Sequence, residues 1–204
     1  MFKVAAAVSA AMLLGLPAWA QQTANLPDAP SAPSNTPAVR IYTPPTQKER
    51  FRTYLRHTYG IYSIVEAGIR GGIEQARDNP SQWPEGAEGY ADRFGSTIGQ
   101  IAARGTTEYV LADAFREDLR FIPCASPCSE SKMRRALEDT FTARKGQDGH
   151  RAFSIARLVG PIAGGAIATN TWYPSGTGGG ETAKQIGMSY GFGFLRNYVR
   201  ELTH

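Results

Sequence analysis

The 204-residue chain holds two cysteines, three histidines and five lysines, and nowhere carries an uninterrupted apolar run of about 20 residues. Each scarcity removes a class of function. His57, His150 and His204 share no helix turn, and no histidine lies within twenty residues of the cysteines, so no metal-ligand constellation is present and no cofactor is implied. The longest mainly apolar stretch past the N-terminus, Leu158 to Trp172, has 15 residues and contains Pro161, which argues against a simple spanning hairpin. A formal charge of +4 is too mild for a nucleic-acid partner. The Walker spacing is also missing: Gly176-Thr-Gly-Gly-Gly-Glu-Thr-Ala-Lys184 is rich in glycine but reads as a flexible loop.

What is present begins with an address. Residues 1–20 read as a secretory signal peptide, with Lys3 in the positive n-region, Val4 to Leu16 as the apolar h-region and Ala18-Trp19-Ala20 as the cleavage site. The mature chain is expected to begin at Gln21, exported, periplasmic or associated with the outer membrane. Residues 21–45 carry six prolines among small polar residues and read as a Pro-rich disordered linker. Residues 46–204 then form a single domain. In an oxidising compartment Cys124 and Cys128 are expected to form a disulfide that pins a turn between two helices. The cations are mostly arginine, 17 against five lysines. A GC-rich coding bias accounts for that, with phosphate or lipid-headgroup contact as the sharper alternative.

The spacing of apolar residues predicts an all-α, compact multi-helix bundle. Thr46-Gln-Lys-Glu49 is a capping box after Pro44-Pro45. It opens a helix whose Phe51, Tyr54, Leu55, Thr58 and Tyr59 form one stripe beside Lys48, Arg52 and Arg56. That stripe packs into the core in the commoner outcome and lies on an anionic membrane in the other. Further helices are predicted over 61–77, 90–121 with an interruption at Gly105, from Ser129 or Ser131 to 144, 153–170 with a kink at Pro161, and 182–202. The alternation of Ile186, Met188, Tyr190, Phe192 and Phe194 is also a strand signal, but helical spacing persists to the end of the segment.

Glycine recurs four residues apart in four of these helices, as Gly68/Gly72, Gly95/Gly99, Gly160/Gly164 and Gly187/Gly191. Helical glycine costs about 1 kcal/mol relative to alanine, so the pattern predicts GxxxG-type close helix packing, within the bundle or between copies.

Candidate chemistry is sparse. Gly187-Met-Ser189-Tyr-Gly191 matches a nucleophile-elbow string but lacks the strand before it and a loop-borne triad after it. Asp113, Glu117, Asp118 and Arg120 cluster at a helix end, where paired carboxylates serve acid–base work and a solvated set of ion pairs is the plainer outcome. Glu66 and Arg70 interrupt an apolar, glycine-bearing helix and become a candidate polar site if buried.

The segments Gln82-Trp-Pro-Glu-Gly-Ala-Glu-Gly-Tyr-Ala-Asp-Arg-Phe-Gly-Ser96, Arg116-Glu-Asp-Leu-Arg-Phe121 and Asn170-Thr-Trp-Tyr-Pro174, with the opening Asn25-Leu-Pro-Asp-Ala-Pro-Ser31, resemble a family of exported bacterial proteins. The resemblance implies a grouping and brings no activity, fold or cofactor. The expectation is a non-enzymatic scaffold or binding protein of the cell envelope, partnered by a membrane surface or another envelope protein. A lipid- or glycan-acting enzyme built on Asp113 to Arg120 and a membrane-inserted helical assembly are the alternatives.

Overall fold

A computed structural model describes residues 42–123, 130–174 and 178–203. The chain divides into residues 1–40 and 41–204, and all described residues belong to the second unit. The leader, most of the Pro-rich linker and the Cys124–Cys128 pair lie outside the described residues.

The described residues form six helices and a two-stranded hairpin: α1 (Gln47–Tyr59), α2 (Ile61–Ala76), α3 (Gly86–Ala114), α4 (Lys132–Phe141), β1 (Thr142–Lys145), β2 (His150–Phe153), α5 (Ile155–Thr171) and α6 (Gly179–Thr203). Helix α3 is the spine. It packs on α1, α2 and most extensively on α5, while α6 lies against α4 and α5.

Local chemistry sets the ends of these helices. The capping box forms as the sequence predicts: Thr46 Oγ1 accepts from the Glu49 amide, and Glu49 Oε2 accepts from the Thr46 amide at 2.8 Å. Gly60 then separates α1 from α2, and a Cβ there would strike the backbone carbonyl of Arg56. Ser131 and Ser154 cap α4 and α5 through their hydroxyls. Pro161 sits within α5, which runs on to Thr171.

Three segments differ from the sequence expectation. Helix α3 runs unbroken through Gly105, because Thr58 of α1 packs where a side chain would otherwise stand. It ends at Ala114, after which Asp118 pairs with Arg144 beside the hairpin. The predicted helix to 144 stops at Phe141 and continues as a strand, since Thr142↔Phe153 to Lys145↔His150 close into an antiparallel ladder around Gly146 and Gly149, both at positive φ. Neither four-residue strand alternates clearly in polarity, so periodicity gave no strand signal. The 186–199 segment is helical within α6, and residues 179–184, read from sequence as part of a flexible loop, form the first turns of that helix.

The distribution of side chains is inverted. Among the described residues the buried apolar set is six alanines with Ile101 and Tyr173, whereas twenty buried residues are polar or charged. Nineteen large apolar side chains are exposed, spread over all six helices and the hairpin. Helix α2 shows the rule most plainly: Ser63, Glu66, Arg70 and Glu74 face inward, while Ile61, Tyr62, Ile64, Val65 and Ile69 face outward. The α1 stripe likewise leaves Phe51, Leu55 and Tyr59 exposed and buries Thr53 and Thr58.

Glycine placement yields a prediction of opposite signs. A Cβ on Gly164 would lie 2.9 Å from the Gln100 carbonyl oxygen and 3.3 Å from the Arg104 amide, so α5 and α3 touch backbone to backbone there. A Cβ on Gly187 would meet open space. Gly164→Ala is expected to destabilise the fold by about 1–3 kcal/mol through overpacking. Gly187→Ala should stabilise it by up to about 1 kcal/mol through helix propensity. Chemical denaturation of the two variants checks both signs.

Candidate functional site

The polar interior is built from one stripe of each of three helices. In α6, Gln185, Ser189, Gly193, Asn197 and Glu201 are buried at a spacing of four, which aligns them on one face. Glu66, Arg70 and Glu74 do the same in α2, and Arg93, Thr97, Gln100 and Arg104 share one face of α3 at spacings of four, three and four. Where the stripes meet, the side chains bond one another.

Arg70 stands at the centre of the first cluster, fully buried. Its Nη2 donates to Gln100 Oε1 at 2.7 Å and to Gln185 Oε1 at 2.6 Å, and its Nη1 lies 3.5 Å from Glu66 Oε1. Gln185 Nε2 donates to Glu74 Oε1 at 2.6 Å and to Glu181 Oε1 at 2.7 Å. Gln100 Nε2 donates to the Tyr173 hydroxyl at 3.3 Å. Burial lowers the Arg70 guanidinium from its ordinary value and raises the Glu74 carboxyl, the charged form of each losing its hydration. Burial pushes Glu66 up as well, but Arg104, Arg196 and Arg70 outweigh it and hold this carboxyl below its usual value.

Arg104 joins this cluster to a second one. Its Nη1 lies 3.4 Å from Glu66 Oε1 and donates to Ser189 Oγ at 3.0 Å, and its Nε lies 3.9 Å from Glu108. Beyond it is a cavity of about 40 Å3 whose wall includes His57, Arg157, Tyr190, Arg196 and Asn197. Arg157 Nη2 donates to the Leu119 carbonyl at 3.2 Å. The Nε atoms of Arg157 and Arg196 are buried and have no hydrogen-bond partner. Burial, reinforced by Arg104 and opposed by Glu66 and Glu108, brings Arg196 down to about 10. Burial and then the surrounding Arg196, Arg200, Arg157 and Arg56 push His57 well below the ordinary histidine value, so its ring is neutral. A second cavity of similar size lies between α1, α3 and residues 117–120 and shares His57 and Glu108 with the first.

The residues singled out from sequence occupy separate places. Glu66 and Arg70 are both buried and paired. Asp113 is exposed and accepts from Gln47 Nε2 at 2.8 Å. Glu117 is fully buried: its carboxylate accepts from the Ser154 hydroxyl at 2.5 Å and from the amides of Ile155 and Ala156, and Lys145 lies 3.1 Å away. That carboxylate therefore caps α5. Asp118 is clasped by Arg120 Nη2 at 2.8 Å and accepts from the Tyr42 hydroxyl at 3.1 Å, while Arg120 also donates to the Thr43 carbonyl. These four side chains hold chain segments together; Glu117, Asp118 and Arg120 line the second cavity, and Asp113 does not.

Of the glycines, Gly164 meets the α3 backbone, Gly99 meets the Trp172 ring and Gly160 meets the Glu108 side chain. Gly68 lies near the Tyr90 hydroxyl, whereas Gly72, Gly95, Gly187 and Gly191 have open space where a Cβ would stand. Ser189 lies within α6, its hydroxyl accepting from Arg104. Among the described residues no group of three His, Cys, Asp or Glu side chains is placed to hold a metal ion. Sequence reasoning passed over Arg104, Arg157 and Arg196, as well as Gln100 and Gln185. The spacing-four polar run in α6 was a usable signal for Gln185, Ser189 and Asn197.

Two measurements probe this interior. Glu66→Gln leaves Arg70 and Arg104 without their shared anion and is expected to cost about 3–5 kcal/mol in denaturant melts. For His57 the folded value lies below the unfolded one near 6.5. Only the unfolded chain then binds a proton as pH falls, so stability should decline below about pH 6.5 and level off beneath the folded value. His57→Gln should flatten that part of the stability profile. Comparison with family models, curated proteins and solved structures returned no match.

Proposed function

We propose that the protein is an exported, non-enzymatic binding or scaffold protein of the cell envelope whose helical domain sits with its apolar exterior against lipid. The observation that carries this reading is the inversion of side chains. A water-facing bundle buries its large aliphatic residues, whereas here Ile61 is 66% exposed and Arg70 and Glu74 are fully buried. Charged side chains turned towards a bundle's interior, with apolar ones outward, are the arrangement that a hydrocarbon surrounding favours.

A lipid surrounding fits better than a single protein partner. The exposed apolar residues occur on every helix, including Phe51 and Leu55 on α1, Ile64 and Ile69 on α2, Leu137 on α4, Ile162 and Ile167 on α5, and Leu195 on α6. A partner would cover one face, and a fluid apolar medium covers all of them. Helix α1 adds exposed Lys48, Arg52 and Arg56 beside its exposed aromatics, a combination suited to anionic headgroups. No described helix is long and apolar enough to cross a membrane. The proposed seating is therefore on or partly within the bilayer. The secretory leader, the Pro-rich tether and a Cys124–Cys128 disulfide belong to the same reading, as does small-residue packing. Gly164 works within the bundle, and Gly187 and Gly191 lie on the lipid-facing side.

Fractionation tests this. The protein is expected to stay with membranes after a carbonate wash and to incorporate a hydrophobic photolabel. The double variant Val65→Gln/Ile69→Gln should shift a substantial share of it to the soluble fraction while its helical circular dichroism is kept. Complete extraction of the natural chain by carbonate, with no photolabelling, would overturn the reading.

A further inference from the structure

We propose that the cavity between α3, α5 and α6 is a binding site for a phosphate-class oxyanion, held by Arg104, Arg157 and Arg196. The site is independent of how the apolar exterior is covered.

Charge is the first argument. Three guanidiniums line the cavity. The carboxylates around them are Glu108 in the wall, Glu66 bound to Arg104, Asp139, which pairs with Arg151 at 2.8 Å, and Asp118, which pairs with Arg120 at 2.8 Å. With Arg200 and Arg56 close enough to depress His57, the local balance is positive in a region where charge is expensive to bury. A protein with no use for that charge avoids it.

Hydrogen bonding is the second. Buried guanidinium nitrogens nearly always find acceptors. Here Arg157 Nε and Arg196 Nε have none, and the Arg196 side chain makes no hydrogen bond or ion pair among the described residues. Ser189 Oγ accepts from Arg104, and its own proton has no acceptor among the described residues. The wall thus offers two unused guanidinium donors and the Ser189 hydroxyl, beside a single carboxylate, Glu108. Three guanidiniums against one carboxylate complement an oxyanion better than a cation.

Size and kind agree. A water needs roughly 10–15 Å3 by the same measure, so a cavity of about 40 Å3 takes one small tetrahedral anion in place of several waters. Guanidinium forks match phosphate bidentately, and their low tendency to deprotonate suits a buried anion site. Burial and the surrounding arginines hold His57 well below its ordinary value, and its ring lines both this cavity and the neighbouring one.

The shared chemistry is a phosphate group, whose source is either free phosphate or a lipid headgroup. The test is thermal unfolding of the full mature chain in detergent, with inorganic phosphate or short-chain phosphatidate added and sodium chloride as the ionic-strength control. Phosphate should raise Tm saturably where chloride does not. A rise with phosphatidate alone assigns the site to headgroups and supports the proposal equally. No rise with either overturns it.

Arg196→Met supplies the second arm. Having no bonded partner to strand, this variant should unfold at a higher temperature than the natural chain in anion-free buffer and should lose the phosphate-dependent rise. Arg157→Gln, a milder change, should weaken phosphate affinity at least about tenfold, the worth of one charge-assisted hydrogen bond. Exposed Arg52→Gln should leave it unchanged. If both cavity variants keep the natural response, binding lies elsewhere and the assignment fails.

Discussion

The carboxylate of Glu66 lies 3.5 Å from Arg70 and 3.4 Å from Arg104, and the rest of the interior depends on that triad. Glu66 and Arg70 belong to α2 and Arg104 to α3, while Arg70 reaches Gln185 and Arg104 reaches Ser189, both on α6. Three helices are therefore joined by one charged junction where a bundle ordinarily has leucines. Desolvating such charges costs several kcal/mol per ion, and the cost is recovered only when geometry and hydrogen bonding are good. The amides of Gln100 and Gln185 supply much of that bonding. A low-dielectric interior rewards these contacts when they are made and penalises their loss.

Once the interior is polar, the surface must be apolar, because the same helices carry both kinds of residue. The inverted faces of α1, α2 and α6 are one consequence, and alanine and glycine as the small residues between elements are another. Gly164 lets α5 approach α3 at backbone distance beside the Gln100 and Arg104 positions, so the glycine contact and the polar junction occupy the same level of the bundle. Glu117 works differently. It closes the start of α5 from a segment outside the helices and, with Asp118 and Arg120, ties residues 42–43, the end of α3 and the hairpin together.

Arg196 and Arg157 stand apart from this economy of bonds. Every charge in the Glu66 junction has an opposite charge beside it, whereas the two arginines across the cavity form no ion pair among the described residues. Their local surplus of positive charge is the basis for assigning the cavity to an oxyanion.

Much of the backbone was legible in the sequence. The Thr46–Glu49 capping box, the helix from residue 61 and the helical spacing of 182–202 are local signals, and local hydrogen bonding and backbone sterics decide them. Glu66 and Arg70 stood out as a pair because two charges interrupt an apolar helix. The hairpin after Phe141 did not, since its four-residue strands lack a clear periodic pattern and depend on pairing across Gly146–Gly149. Which face of each helix points inward was also undetermined. An amphipathic stripe has two sides, and periodicity is the same whether the apolar side meets a core or a lipid tail. Only the meeting of Glu66, Arg70, Arg104, Gln100 and Gln185, residues far apart in the chain, selected the polar side. The sequence alone therefore determined that the domain is built of helices, where the first of them is capped, and where two charges interrupt another. The tertiary structure decided that the charges are inside and that three arginines share one cavity, because burial and long-range ion pairing are properties of the packed helices together.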